Sequence, residues 1–290
     1  MKINQNESSF RDPYGYVYNY DNKIFRIVQP IAKSEYEAIR DHNIIAESIE
    51  HEYLIHTSEL DKKDIPADFI HASYVVQHER VPYVSYPYEW TFHQLKLAAL
   101  HHLDFQLFLL KRKAVLRDAS AYNIQFIGSK PIFIDLLSIR LYRDGEYWFG
   151  YRQFCEQFLN PLLLRSLKGI IHNNFYRDSL NGISVEDMTK LLSIRNKISL
   201  NILLHVVLQS KFASSAIENE EEAIKKFKKQ KPITIKTYRS LLKQIRNWIN
   251  KLKPMENKKT AWSNYSKNNT YLETESKTKR NLVEIFSKKN

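Results

Sequence analysis

The chain has 290 residues, 43% of them apolar and 13% aromatic, which is material for one large buried core or two modest ones. Its single cysteine, Cys155, excludes an internal disulfide and any zinc site built from this chain's thiolates, and fits a reducing, cytoplasmic setting. The net charge of +12 is uneven: residues 1–210 carry 24 basic against 24 acidic side chains and residues 211–290 carry 20 against 8, so the excess belongs to the C-terminal stretch.

The opening MKINQNESSFRDP lacks an apolar signal core, and no run approaches about 18 consecutive apolar residues, so neither export nor membrane spanning is expected. Gly15–Val28 alternates apolar and polar residues around Asp21-Asn22, the pattern of a β-hairpin. SEYEAIRDHNIIAESIEHEYLIHTSEL follows with helical apolar spacing, opening on Ser34 with Glu37 three positions on, a capping-box pattern that predicts a helix. Ser73–Val76 and Pro82–Tyr86 read as two short strands about a QHER turn. YPYEW then breaks the pattern before the long helix TFHQLKLAALHHLDFQLFLLKRK.

LRDASAYNIQFIGSKPIFID, residues 116–135, places Asp118 in a turn after that helix, Asn123 five residues later, and Asp135 at the end of an apolar hairpin. An acid, an amide and a second acid at loop and strand ends form the oxygen set that phosphoryl transfer uses. One carboxylate accepts or orients a hydroxyl proton, and the amide and the other carboxylate hold magnesium on nucleotide phosphates. The bland reading makes Asp118 a backbone cap and Asn123 a turn residue. Beyond Asp135, YWFGYRQFCEQFLNPLLLRSLKG and SVEDMTKLLSIRNKISLNILLHVVLQSKF predict helices. From about Ser214 the composition turns to Lys, Glu, Asn and Ser, with ITIKTYRSLLKQIRNWINKL readable as one basic amphipathic helix; such a tail binds nucleic acid weakly or is a solvated face.

His93, His101 and His102 lack a completing carboxylate or Cys at metal-ligand spacing, so a partly exposed or hydrogen-bonded pair is expected at 101–102, and Cys155 reads as an inert buried thiol.

The order hairpin, helix, two strands, linker, helix, Asp-x4-Asn, hairpin, Asp, helices resembles the protein-kinase-like fold that includes the aminoglycoside phosphotransferases. The residues carrying the resemblance are Leu116-Arg117-Asp118-x4-Asn123 and Asp135-Leu136-Leu137. It implies an α+β, two-lobed protein, with a small sheet-rich N-lobe at 10–90, a helical C-lobe at 91–213 and a basic helical tail or linker at 214–290. It implies ATP and Mg2+ as cofactors, Asp118 as the base, and Asn123 and Asp135 as metal ligands. The linker at Tyr86–Trp90, with Tyr86, Tyr88 and Glu89, would meet adenine. Where that family has a strand lysine the chain offers Lys23 or Arg26, which point to opposite faces of a strand; Arg26, flanked by Phe25 and Ile27, is the choice. Its acidic partner on the helix is one of Glu35, Glu37, Glu47 and Glu50, with Glu47 in IIAES preferred. One glycine stands where kinases have a Gly-rich loop, and no His precedes Arg117.

SYPYEWTFHQLKLAAL, RDASAYNIQF, FIDLLS and GYRQFCEQFLNPLLL also resemble the N-terminal region of bacterial proteins described as class I S-adenosylmethionine-dependent methyltransferases. That resemblance covers about residues 10–210 and implies a methyltransferase domain or partner. No Gly-x-Gly cluster exists among the six glycines, so S-adenosylmethionine is not expected to bind this chain. Two functions follow as expectations: a kinase-like phosphotransferase acting on an unknown acceptor, and a catalytically degenerate module that positions substrate for methyl transfer.

Overall fold

The structure, a computed structural model, describes residues 4–5, 12–69, 71–209, 232–255 and 271–289. Five short strands, β1 (Asn4–Gln5), β2 (Val17–Tyr20), β3 (Lys23–Val28), β4 (Thr57–Glu59) and β5 (Tyr74–His78), form an antiparallel sheet in the order β1-β2-β3-β5-β4. The hairpin turn falls at Asp21 and Asn22, whose φ angles of 47° and 61° are the positive values a two-residue hairpin turn requires. Alternation along β3 sends Phe25 and Ile27 to a small cluster with Phe69 and Val75, and Val28 to the main core with Val76. Arg26, opposite Val76 in the register, therefore faces the main core as a buried cation, whereas Lys23 is exposed.

Residues 12–16 run against this sheet, Ile27 N–H donating to Tyr16 O at 3.0 Å and Gln29 N–H to Tyr14 O at 2.8 Å. The approach leaves no room at Gly15: a Cβ there would stand 2.0 Å from Ile27 O and 2.7 Å from Leu137 Cδ1. Gly15→Ala is expected to lose about 1–3 kcal/mol by overpacking, read as a lowered urea midpoint. An unchanged midpoint would mean that the strand shifts freely.

The expected helix at 34–60 is corrected in three respects. It begins at Lys33 after a turn at Pro30, its N-cap is Ala32, and the Ser34–Glu37 capping box is not made. Asn43, at φ 57°, divides it into α1 (Lys33–Asp41) and α2 (Ile44–Glu50). Its last residues are β4, because pairing with β5, Thr57 opposite His78 with Thr57 Oγ1 2.7 Å from His78 Nδ1, outweighs local helical spacing. The strand expected at Pro82–Tyr86 is absent too; that segment is irregular, held by Gln125, which accepts from Ser85 N–H at 2.9 Å and donates to Ser85 O at 3.0 Å.

α3 (Phe92–Lys111) starts with a complete capping box between Thr91 and Gln94 and is the central core element, with Leu95, Ala98, Ala99, Leu103, Phe105 and Leu109 fully buried. After it come β6 (Ala114–Leu116), the hairpin β7 (Ile124–Ile127) and β8 (Lys130–Phe133), and β9 (Ile139–Leu141), which pairs back onto β6. Two helices, α4 (Tyr151–Phe154) and α5 (Asn160–Lys168), are joined by the π-helical turn Cys155–Leu159. A short helix not expected from the sequence, α6 (Asn173–Asp178), follows, and the helical segment expected from Ser184 is broken into α7 (Val185–Leu191), α8 (Ile194–Lys197) and α9 (Leu200–Ile202), with a π-helical turn at Leu203–Val207. Ser184 and Ser193 cap new starts, which local spacing alone does not reveal.

The basic helix at the start of the expected tail, α10 (Ile235–Lys251), is part of the main core. It buries Tyr238, Leu242, Ile245 and Ile249 and meets α3 through Gln106 Nε2 donating to Tyr238 Oη at 2.8 Å and an Arg246–Asp104 ion pair. Lys96 of α3 donates to the carbonyls of Asn250 and Leu252 at 2.8 and 3.0 Å, satisfying the C-terminal end of α10. Residues Met1–Met255 are one compact unit whose core runs from the sheet through the helices, and Glu256–Asn290 are another. The second unit contributes α11 (Glu273–Lys289), whose Leu282, Val283, Ile285 and Phe286 are exposed. Of the tail or linker expected at 214–290, residues 214–231, 256–270 and 290 lie outside the described residues.

Candidate functional site

The pairing of β6 with β9 sets Leu116 opposite Ile139 and brings Arg117 N–H to Ser138 O at 2.8 Å, so the loop after β6 lies alongside the turn Leu136–Ser138. The hairpin β7–β8 returns the chain to Asp135, with Ile134 N–H donating to Asn123 O at 2.9 Å. The loop's buried amides are satisfied from the next helix: Ala119 N–H donates to Gln153 Oε1 at 2.8 Å and Ala121 N–H to Gln157 Oε1 at 2.7 Å. Gly150 allows this approach, since a Cβ there would lie 2.9 Å from Ala119 Cβ.

The result is a convergence of the acid, the amide and the second acid. Asn123 Nδ2 lies 3.2 Å from each carboxylate oxygen of Asp118 and 3.3 Å from Asp135 Oδ2. Ser138 Oγ donates to Asp118 Oδ1 at 2.7 Å. Asp118 is pushed up to about 6, first by burial and then by the charge of Asp135, against the opposing hydrogen bonds from Ser138 and Asn123. A carboxylate in that range exchanges protons near neutral pH. Arg26 Nη1 lies 2.7 Å from Asp135 Oδ1, and the same guanidinium binds Asp12.

Glu47 does not partner Arg26: it is ion-paired with Arg112, whose guanidinium lies 3.6 Å from the Phe108 ring centroid. The break at Asn43 carries α2 away from β3, and Asp12 and Asp135 take the cation instead. Glu35, on α1, pairs with Arg117, which sits 4.2 Å over the Tyr14 ring and donates to Leu137 O at 3.3 Å.

The expected adenine-facing linker is also arranged differently. Tyr86 N–H donates to Glu89 Oε2 at 2.8 Å, Glu89 and Trp90 N–H donate to Tyr86 O and Pro87 O, and Asn173 Nδ2 donates to the carbonyls of Tyr88 and Trp90 at 2.7 and 3.0 Å. Those backbone groups are spent within the protein. The Tyr86 and Tyr88 rings stack on each other at 5.3 Å.

Sequence reasoning missed Asp12, Ser138, Gln153 and Gln157. Ser138 has a local signal, a hydroxyl three residues past an acid that ends an apolar strand; the two glutamines have none, because they act on backbone. The expected partly exposed or hydrogen-bonded state of the 101–102 pair holds for His101, whose Nε2 is 3.1 Å from Tyr53 O, and fails for His102. His102 is wholly buried against Phe133, Trp148, Phe154 and Phe158 with neither nitrogen partnered among the described residues, and burial pushes it down to about 3. Burial likewise pushes the Cys155 thiol far up, away from reactivity. Among the described residues no group of three or more His, Cys, Asp or Glu side chains is placed to hold a metal ion, and no helix is long and apolar enough to cross a membrane.

No protein-family model matches the chain. It is similar to the nodulation protein NoeA of Rhizobium meliloti (strain 1021), with 38% identity over 278 residues. The matched region is 96% of this chain and 58% of that relative, so the chain spans less than two thirds of the relative's length.

Proposed function

We propose that the Met1–Met255 unit is a two-lobed, kinase-like phosphotransferase domain that uses ATP and Mg2+, with Asp118, Asn123 and Asp135 as its centre. What carries this reading is the convergence of those three side chains about one point, with Asp118 held at about 6. Asp118 would accept the proton of an acceptor hydroxyl, and Ser138 would hold its carboxylate in orientation. Asn123 through Oδ1 and Asp135 through its carboxylate would supply oxygen donors that fit a hard divalent cation, with the Asn123 amide turned so that its oxygen replaces the Nδ2 that now faces Asp135; the cation when bound would neutralise charge on the transferred phosphoryl group. Arg26 would offset the negative charge of the site from the sheet side.

Calorimetry with ATP and magnesium tests the reading. Wild type is expected to bind in a magnesium-dependent manner, and Asp135→Asn to bind at least about tenfold more weakly, as loss of one metal ligand implies. No heat with any nucleotide would remove the phosphotransferase reading.

A second reading has its own observation. The closed turn at Tyr86–Trp90 and the double engagement of Arg26 leave few free groups for a nucleotide, which favours a catalytically degenerate module positioning substrate for a methyltransferase domain or partner. The matched region is 58% of NoeA, so that relative has length for a further domain. The name of that relative brings a role in nodulation to either reading without specifying a reaction.

A further inference from the structure

A groove of about 500 Å³ lies along α10, lined by Asn201, Ser240, Lys243, Gln244, Asn247, Trp248 and Lys251. Its lining contains two ammonium groups, three side-chain amides, a hydroxyl and an indole, and no carboxylate. Exposed helices elsewhere in the chain pair their cations with acids one turn away: Lys33 with Glu37, Arg152 with Glu156, Lys190 with Asp187 and Lys288 with Glu284. α10 has five Lys and Arg and no Asp or Glu. Arg246 turns inward to Asp104, whereas Lys243 and Lys251 form no ion pair among the described residues.

The spacing is informative. Lys243 and Lys251 are eight residues apart on one helix face, about 12 Å along the axis, so a single point anion cannot satisfy both but a chain of anions can. Trp248 stands between them in sequence. His205 covers part of its indole, with ring centroids 5.8 Å apart, and His205 is fixed in turn by Tyr151 Oη at 2.6 Å from Nδ1. A half-buried indole packed on a fixed imidazole and lining a groove with two cations and no acid offers an aromatic surface for stacking, and the three amides of the lining supply neutral donors and acceptors.

We propose that this groove binds single-stranded nucleic acid, Lys243 and Lys251 taking backbone phosphates and Trp248 stacking on a base. The site is separate from the Asp118 cluster and independent of its reading. It differs from diffuse attraction to a basic tail, because only the groove-lining cations are assigned to it.

The test is fluorescence anisotropy of the full chain with a labelled thymidine oligonucleotide of about a dozen nucleotides, at about 50 and about 200 mM salt. Lys243→Gln/Lys251→Gln is compared with Lys236→Gln/Lys253→Gln, which removes the same charge from exposed positions outside the groove. All four lysines are exposed, and melting curves identify any variant that has lost its fold. The expected result is binding by wild type, at least tenfold loss in the groove variant with a salt slope smaller by about 1.4, and less than threefold loss in the other. Equal loss in both variants, no binding by wild type, or heparin bound more tightly than the oligonucleotide and weakened by the same groove variant would overturn it.

Discussion

Asp118→Asn is expected to make the protein more stable at neutral and alkaline pH while removing the titratable group of the carboxylate cluster. The folded protein holds the Asp118 proton up to about 6, because burial and Asp135 oppose ionisation. The unfolded chain releases it near the ordinary carboxylate value, about 4. Folding is therefore favoured by this group below about pH 4, and that contribution is lost as pH rises through 6. At about 1.4 kcal/mol per tenfold change in proton affinity, the ionised carboxylate costs on the order of 3 kcal/mol at pH 8. The amide keeps the shape and its oxygen can still accept from Ser138 Oγ and Asn123 Nδ2; its new NH2 forfeits the second contact from Asn123, a smaller loss than the penalty it removes. Urea unfolding of the two proteins should give a gain for the variant of about 2–3 kcal/mol at pH 8 that shrinks towards zero near pH 4. A variant less stable than wild type at pH 8 would contradict the origin assigned to the raised affinity. If the centre transfers phosphoryl groups, the same substitution should lower the rate by about 10²–10⁴-fold, the usual contribution of a general base.

The three side chains of this cluster, though not the stability cost of burying one of them, are legible in the sequence. Asp118, Asn123 and Asp135 were marked by polar residues at strand and loop ends in an apolar stretch, and the structure brings them together. The hairpins at Asp21-Asn22 and Gly128 were legible because two-residue turns leave a chemical signature, and α3 because its capping box and apolar spacing agree. What escaped was decided by distant partners. β4 was read as helix because its pairing with β5 cannot be seen in residues 57–59 alone. The apolar surroundings of Glu47 in IIAES point it to the core, but α2, set off from α1 by the left-handed Asn43, pairs it with Arg112. α10 was assigned to a tail by its charge, though its apolar face is as regular as that of any core helix and packs on α3. Asp12 lay in a segment with no strand or helix pattern, and its role appears only when β3 presents Arg26 to it.

Arg26→Gln should be the most destabilising single change near the site. The guanidinium is 7% exposed and bridges two carboxylates that are each 23% exposed, so its removal leaves Asp12 and Asp135 facing one another at the edge of the core. Breaking a largely buried ion pair by deleting one partner costs about 3–5 kcal/mol; partial exposure of the acids places this case at the lower end, about 3 kcal/mol. Arg26→Lys retains the charge, but one ammonium cannot span both carboxylates as the planar fork does, so an intermediate loss is expected. Adding Asp12→Asn to the glutamine variant removes one of the stranded charges. The double variant should then be more stable than the sum of the single losses implies, by about 1 kcal/mol or more in a double-mutant cycle. Strict additivity, or a loss below about 1 kcal/mol in Arg26→Gln alone, would show that the bridge contributes little. The change also has a chemical consequence. Arg26 partly neutralises Asp135, and Asp135 is the charge that raises Asp118 after burial. Without the guanidinium, Asp118 should titrate above its wild-type value of about 6, observable by carboxyl carbon NMR, which would tie the sheet cation to the proton affinity of the proposed base.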